Sequence, residues 1–166
     1  MRSSAASDVY KRQMTDCLKK GERLTMSGSR YVLTEFRTSD EKSYIRERVQ
    51  ALIRKGYYPI IAHVERYHSV VKNGLDFIDE LRDMGAYIQM NADSIIGEDG
   101  FMIKRFCKKV IKEEMLDFVG SDGHDLARRT PHIGKCYDKI EKMMGTDYAD
   151  MIFISNPECI INNERF

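Results

Sequence analysis

The chain has 166 residues, of which 42% are hydrophobic and 32% charged, so it is long enough for one domain with a buried core and too short for two. Its 27 basic and 26 acidic residues give a net charge of +1, which supplies no overall field favouring a nucleic-acid partner or a membrane surface. No apolar run reaches the ~18 residues that a membrane span needs, so no membrane insertion is expected.

The first 13 residues differ from the rest of the chain. Residues 1–13 are rich in serine and alanine, show no hydrophobic periodicity and lack the apolar segment of a secretory signal. We interpret them as a non-native or disordered leader and residues 14–166 as the domain. The four cysteines are scattered without a Cys-x-x-Cys pair, which is typical of reduced thiols. A cytoplasmic location is therefore expected.

From residue 14 onward, strand-like and helix-like segments alternate. Runs rich in β-branched and aromatic residues predict four strands, at residues 29–36, 58–64, 86–91 and 118–124. Hydrophobic periodicity predicts helices at residues 16–20, 38–55, 73–84, 101–115, 133–144, 147–153 and from Asn156-Pro157 onward. Thr38 and Glu41 form a capping-box pattern for the second of these helices, and Asn73 is a candidate cap for the third. This order is typical of parallel βα units.

Three of the four predicted strands end in potential metal ligands. Glu35 ends the first strand, His63 ends the second on the same predicted face as Ile61, and Asp122 with His124 ends the fourth. Asp122 and His124 are two residues apart on a strand and therefore point to the same side. Each residue also has an ordinary interpretation, as a solvated carboxylate, a core histidine or a polar turn. Because βα folds place functional groups at the C-terminal strand ends, their joint occurrence favours a metal site.

The chemistry of these side chains indicates which ions suit the site. Imidazole and carboxylate ligands without a thiolate are typical of Mn²⁺, Fe²⁺, Zn²⁺ or Mg²⁺. Such ions activate water and bind a phosphoryl group. Arg66 and Arg129 follow ligand-bearing strands, and each is either a phosphate-binding guanidinium or a solvated loop residue. His68 and His132 lie further into the loops and are not expected to be ligands.

Several ordered blocks carry a resemblance to a known family. The blocks at residues 29–36 (SRYVLTEF), 59–67 (PIIAHVERY) and 119–124 (VGSDGH), with Asn156-Pro157 near the end, resemble bacterial metal-dependent tyrosine-protein phosphatases. These belong to the polymerase-and-histidinol-phosphatase (PHP) superfamily and act in the regulation of capsular and extracellular polysaccharide. The match runs from about residue 14 to the C-terminus, and the block at residues 63–67 is the most specific part of it.

The resemblance implies an α/β fold that is the C-terminal part of a distorted (β/α)7 TIM-like PHP barrel. It implies two or three metal ions, most often manganese, and hydrolysis of phosphotyrosine on a partner tyrosine kinase of polysaccharide synthesis. Matched position by position, it implies that Glu35, His63, Asp122 and His124 are metal ligands. It further implies that Asp122, His124 and Arg66 are catalytic and that Arg66 and Arg129 bind the substrate phosphate.

The chain also departs from this family's pattern. The family begins with a strand carrying His-x-His, whereas no histidine precedes His63 here. With about half of the expected ligands missing, the sequence predicts a C-terminal fragment whose activity is reduced or lost. Four strands cannot close a barrel, so self-association through open edges is expected. Two alternatives stay open: a small-molecule phosphatase of the histidinol-phosphatase type, and a non-catalytic module that binds a kinase or export partner.

Overall fold

A computed structural model describes residues 25–122 and 132–166, in which short strands alternate with helices. The strands are β1 Tyr31–Thr34, β2 Tyr58–Ile61, β3 Tyr87–Asn91 and β4 Phe118–Gly120. The helices are α1 Lys42–Ile53, α2 His68–Asn73, α3 Leu75–Asp83, α4 Ala92–Ile96, α5 Phe101–Lys112, α6 Ile133–Met144, α7 Thr146–Asp150 and α8 Asn156–Asn162. One 3₁₀ turn follows β2 at Val64–Arg66, and a π-helical turn at Met151–Ser155 joins α7 to α8.

The four strands form one parallel sheet in the order β1-β2-β3-β4. Neighbouring strands are joined through helices on one face, as parallel strands require, which confirms the predicted βα arrangement and the α/β class. Among the described residues no pairing joins β1 to β4, so closure into a seven-unit barrel stays a prediction. No helix of the described part is long and apolar enough to cross a membrane.

One face of the sheet packs against the helices and forms the main core. Ile61, Ile88 and Met90 point into this core from β2 and β3 and are fully buried. They contact the apolar faces of the surrounding helices, which include Val49, Phe77, Leu81, Val110 and Ile140. Because side chains alternate along a strand, the intervening residues point to the opposite face.

The opposite face carries a second, smaller apolar cluster near the strand starts. Tyr31, Ile60, Tyr87 and Phe118 come from the four strands, and Ile160 of α8 covers them. The rings of Tyr31 and Tyr87 are 5.4 Å apart between centroids, within the range of favourable aromatic pairing. This face is apolar at the strand starts and becomes polar toward the strand ends.

Some predicted boundaries are confirmed and others are wrong. Helix α6 spans the predicted residues, and α8 begins at the predicted Asn156. The predicted capping box is wrong, because α1 begins only at Lys42 and no side chain caps it. The Thr38 carbonyl instead accepts a hydrogen bond from the backbone N–H of His68 at 3.0 Å, so this segment is a connection rather than a helix.

Asn73 is also not the helix cap that the sequence predicts. Its side-chain amide donates to the carbonyl of Ser69 at 2.5 Å within α2, and Gly74 separates α2 from α3 with a φ of +63°. A glycine adopts this backbone conformation without the steric penalty that a side chain would bring. The predicted helix at residues 16–20 and the division at residue 13 lie outside the described residues.

An ion-pair cluster joins α1 to α3 and gives a prediction for acid stability. The Arg46 guanidinium and the Lys42 ammonium both donate to Glu80 and lower its pKa from 4.5 to about 2. A carboxylate with a depressed pKa stabilises the fold above its unfolded value and loses that contribution as the pH falls through the folded value. We expect Glu80→Gln to lower the free energy of unfolding at neutral pH by about 1 kcal/mol. Relative to the parent chain, this deficit should shrink between pH 4.5 and 2.

Urea unfolding at a series of pH values measures this difference. Glu47→Gln is the matched control, because Glu47 is an exposed carboxylate on α1 and the same atoms change. An equal, pH-dependent deficit in both variants would show that general surface charge, rather than the cluster at Glu80, is responsible.

Candidate metal and phosphate site

Polar side chains from all four strand ends meet at one edge of the sheet. Glu35 follows β1, His63 follows β2, Asn91 ends β3 and Asp122 follows β4. All four line one cavity of about 320 Å³. Because parallel strands bring their C-terminal ends to the same edge, residues far apart in sequence converge there. This position agrees with the site that the sequence predicts.

His63 reaches the cavity by a different route from the predicted one. Strict alternation would place His63 on the same side as Ile61, which is buried in the helix-packed core. His63 instead has a φ of +38°, and this left-handed turn directs the chain so that its side chain lines the cavity. The predicted shared face is therefore wrong. Asp122 also has a positive φ, +47°, and such non-glycine conformations cluster at functional sites.

Glu35 and His63 lie side by side in the cavity. Glu35 Oε1 is 3.7 Å from His63 Nε2, which is longer than a hydrogen bond. Two donor atoms of one tetrahedral ion, each ~2.1 Å from it, would stand about 3.4 Å apart. The buried Nδ1 of His63 has no hydrogen-bond partner among the described residues. This separation and the nitrogen–oxygen donor set fit a divalent metal ion.

A buried glutamine fixes the backbone of His63. The N–H of His63 donates to Gln89 Oε1 at 2.6 Å, and Gln89 Nε2 donates to the carbonyl of Met90 and to Asn91 Oδ1 at 2.9 and 3.1 Å. The Gln89 amide occupies the space that a side chain at position 120 would need, so Gly120 is required for the close approach of β3 and β4. Gln89 thus holds a candidate ligand in place.

Asp122 connects the candidate metal ligands to a guanidinium group. Arg66 Nη1 donates to Asp122 Oδ2 at 2.7 Å, and Asn91 Nδ2 donates to the same oxygen at 3.2 Å. The Arg66 and Asp122 side chains are 31% and 20% exposed, and Asp122 lines the cavity. The structure therefore places a predicted ligand and a predicted phosphate-binding residue in direct contact.

A buried acidic side chain supports this contact from behind. Glu65 Oε1 accepts the N–H of Asn91 at 3.1 Å and lies 2.8 Å from the hydroxyl of Ser94. That hydroxyl is 2.6 Å from Asp99 Oδ2, which in turn lies 3.8 Å from Arg66 Nη2. Burial raises the pKa of Glu65 to about 7, although its hydrogen bonds act in the opposite direction. Glu65 thus links the turn that carries Arg66 to β3 and α4.

The structure brings some of the predicted site residues together, and the others lie outside the described residues. Glu35, His63 and Asp122 line the same cavity, and Arg66 binds Asp122. Within residues 25–122 and 132–166, no three imidazole, carboxylate or thiolate groups lie close enough to hold one ion. His124 and Arg129 lie outside the described residues. The ligand and phosphate-binding assignments therefore stay predictions.

The two histidines that the sequence does not favour as ligands lie away from the cavity lining. His68 begins α2, and its backbone N–H binds the Thr38 carbonyl. His132 Nδ1 is 2.8 Å from Asp93 Oδ1 of α4.

Five residues that support the site are not predicted from the sequence. These are Glu65, Gln89, Asn91, Ser94 and Asp99. The available signal is on β3, where Gln89 and Asn91 alternate with apolar residues and so share the face that leads to the cavity. A glutamine and an asparagine on one face of a buried strand require hydrogen-bond partners, which is a usable indication of a polar site.

Comparisons with known proteins agree with the resemblance described above. A family model for capsular polysaccharide synthesis, CpsB/CapC, matches residues 5–162. The tyrosine-protein phosphatase CpsB of Streptococcus pneumoniae is 31% identical over 164 residues, which cover 96% of this chain and 67% of the relative. The tyrosine-protein phosphatase YwqE of Bacillus subtilis is 29% identical over 147 residues, covering 89% of this chain and 57% of the relative.

A solved structure extends this agreement to the fold. The matching chain comes from a study of the crystal structures of YwqE from Bacillus subtilis and CpsB from Streptococcus pneumoniae, which are described as unique metal-dependent tyrosine phosphatases. It matches with a TM-score of 0.82 and 27% identity, over 92% of this chain and 61% of that one. The chain spans about two thirds or less of the length of these relatives. Because the family model covers well over half of its residues, the chain belongs to the CpsB/CapC family of capsular polysaccharide synthesis proteins.

Proposed function

We propose that this chain carries the metal-binding and phosphate-binding part of a metal-dependent protein-tyrosine phosphatase. Its substrate would be a phosphorylated tyrosine kinase that controls capsular or extracellular polysaccharide synthesis. The proposed location of the protein is the cytoplasm. The observation that carries this proposal is the meeting of Glu35, His63 and Asp122 in one cavity, with Arg66 bound to Asp122. The names of the relatives, tyrosine-protein phosphatases, support the same reaction.

The candidate ligands divide between two strand pairs. Glu35 and His63 lie together at the ends of β1 and β2, and Asp122 lies across the cavity at the end of β4, with His124 as a further proposed ligand. Manganese is the ion we propose, two or three ions in a complete enzyme, and Fe²⁺, Zn²⁺ or Mg²⁺ suit the same donors. A bound ion would polarise the phosphoryl group and lower the pKa of water.

Arg66 is the proposed phosphate-binding residue of the described part. Its guanidinium already donates to Asp122 with one nitrogen, and its second terminal nitrogen faces Asp99 at 3.8 Å. A guanidinium held in this way presents its remaining N–H groups in a fixed plane, which suits bidentate binding of phosphate oxygens. Arg129 is the second proposed phosphate-binding residue.

The cavity lining favours an aromatic phosphate ester over a polar one. Leu33, Ile60 and Phe118 contribute apolar surface to the same cavity, and Leu33 is 47% exposed. A tyrosine ring can pack on such a surface, whereas the charged amine of histidinol phosphate would gain nothing from it. The unpaired edges of β1 and β4 in the described part support a further proposal, that the chain self-associates through them.

The metal site gives the experiment that tests the proposal. We expect the full chain to bind Mn²⁺, and we expect His63→Ala to weaken this binding at least about tenfold because a ligand is lost. His68→Ala is the matched control, since it removes the same side chain five residues away, outside the cavity lining. Titration calorimetry measures both affinities. Equal affinities in the two variants would mean that the ligands are wrongly assigned.

Substrate preference distinguishes the alternatives. With Mn²⁺ present, we expect any phosphate release by the full chain to be faster from a phosphotyrosine peptide than from histidinol phosphate. A preference for histidinol phosphate would identify the small-molecule alternative. An absence of metal binding together with tight binding to a tyrosine kinase would identify a non-catalytic module.

A further inference from the structure

Helix α5 carries an unusually one-sided charge for a protein with a net charge of +1. Its 12 residues include five cations and no acid, whereas the equally long α1 and α6 carry acids among their basic residues. All five cations are exposed: Lys104, Arg105, Lys108, Lys109 and Lys112. One helix therefore has a strongly basic surface although the net charge of the whole chain is small.

The spacing of these residues places them on one side of α5. Phe101, Arg105, Lys108 and Lys112 follow one another at four, three and four residues, which aligns them along the helix axis. The other three exposed residues of the helix, Met102, Lys104 and Lys109, flank this line. The opposite side packs into the main core through Phe106, Cys107, Val110 and Ile111. We call the exposed side the α5 basic face.

Much of this charge does not stabilise the helix. Lys104 and Lys108, and likewise Lys108 and Lys112, are four residues apart, where like charges repel. The first turn has no acidic residue to interact with the helix dipole. None of the five cations forms an ion pair with a carboxylate of residues 25–122 or 132–166. Only Lys109 and Lys112, in the last turn, suit the helix dipole, so helix stability accounts for part of the charge and leaves Lys104, Arg105 and Lys108 unexplained.

Two large apolar side chains stand beside the cations at the start of the helix. Phe101 is 74% exposed and Met102 is 72% exposed, which makes them more exposed than any other large apolar side chain in the described part of the chain. Neither residue lines the site cavity, and no residue of α5 does so. The α5 basic face is therefore a convex helical surface with apolar residues at one end.

We propose that the α5 basic face binds the surface of an anionic lipid bilayer. A helix that presents lysine and arginine together with exposed phenylalanine or methionine lies in the interface, with cations at the head groups and apolar side chains between the lipids. A convex surface suits a planar bilayer better than a peptide, which usually binds in a groove. This proposal does not depend on the phosphatase activity.

The position of α5 connects this surface to the candidate site. Asp99 lies two residues before α5, and its carboxylate is 3.8 Å from Arg66 Nη2. A bilayer bound at the start of the α5 basic face would therefore lie near Asp99, the neighbour of the proposed phosphate-binding residue Arg66. Such docking would hold the site near substrates at a membrane surface.

Vesicle binding by the full chain tests the proposal. We expect the chain to co-sediment with vesicles of phosphatidylglycerol and phosphatidylcholine, to bind pure phosphatidylcholine weakly, and to dissociate as salt is raised. The double variant Lys108→Glu/Lys112→Glu should bind the anionic vesicles at least about tenfold more weakly. Phe101→Ser should also weaken binding, because it removes the apolar contact while leaving every charge in place.

The matched control is Arg54→Glu/Lys55→Glu, which changes the net charge equally at two exposed residues after α1. It should bind like the parent chain, and circular dichroism should show all variants folded. Equal loss of binding in both double variants, or no binding by the parent chain, would overturn the proposal. Binding of an acidic phosphotyrosine peptide that is lost in Lys108→Glu/Lys112→Glu, without vesicle binding, would assign the face to a protein partner instead.

Discussion

Replacing Phe77 with alanine is expected to lower the free energy of unfolding by about 3–5 kcal/mol. Phe77 is fully buried in the main core, where α3 packs against the face of the sheet that the helices cover. Removing the ring leaves a cavity that the rigid core fills only in part, so both the transfer free energy and the contacts are lost. A domain of this size is stabilised by only about 5–15 kcal/mol, so this is a large share of the total.

Denaturant unfolding of the full chain measures this loss. Phe101→Ala is the matched control, because it removes the same ring from a position that is 74% exposed. Its free energy of unfolding should differ from that of the parent chain by less than ~0.5 kcal/mol. Similar losses in the two variants would indicate that Phe101 is covered in solution, for example by another copy of the chain.

The fold class follows from the sequence because the strand and helix periods differ. The four strands are found where runs of β-branched and aromatic residues predict them, although each is shorter than the run. A strand ends where pairing with its neighbour ends, and pairing depends on the partner strand rather than on local composition. Thus β2 stops at Ile61 although the apolar run continues to Val64, which begins a 3₁₀ turn.

Two helices are not predicted from the sequence because they are short. Helices α2 and α4 have six and five residues, too few to show a 3.6-residue period. Helix α4 begins directly after β3, so no loop separates the two elements. Both helices lie next to the candidate site: α2 follows the turn that carries Arg66, and α4 carries Ser94. Short helices are thus missed where they matter most for the site.

The candidate site is predictable only in part. Its outline follows from the rule that parallel strands share a C-terminal edge, which brings Glu35, His63 and Asp122 to one cavity. The arrangement within the site does not follow from that rule, because His63 has a left-handed conformation and its N–H donates to Gln89. That bond joins residues 26 positions apart, and no local pattern reports it.

Net charge is also an incomplete guide to binding partners. The value of +1 for the whole chain argues against a dominant field, yet α5 alone contributes five uncompensated cations. Acidic residues elsewhere in the sequence balance the total, and those of residues 25–122 and 132–166 form no ion pair with this helix. The distribution of charge over exposed faces, which requires the structure, decides which surfaces attract anions.

Gly120→Ala is expected to damage the candidate site although it adds a single methyl group. The new Cβ would overlap the amide of Gln89, which is only 7% exposed. Displacing this amide would break its hydrogen bonds to His63, Met90 and Asn91, leaving buried polar groups without partners. We expect the free energy of unfolding to fall by about 1–3 kcal/mol and Mn²⁺ affinity to fall at least about tenfold.

We attribute the expected effect of Gly120→Ala to steric overlap with Gln89, because Gly120 does not have the left-handed φ that would strain an alanine. A control variant shows whether an added methyl group alone has the same effect. Gly134→Ala adds the same methyl group in α6 at a position where it would meet no atom within 4 Å beyond the adjacent backbone of the helix, and it should leave stability unchanged or raise it by up to ~1 kcal/mol. The double variant Gly120→Ala/Gln89→Ala removes the overlap but also the acceptor for the His63 N–H. It should therefore recover part of the stability lost in Gly120→Ala without recovering metal affinity, whereas recovery of both would mean that Gln89 does not position His63.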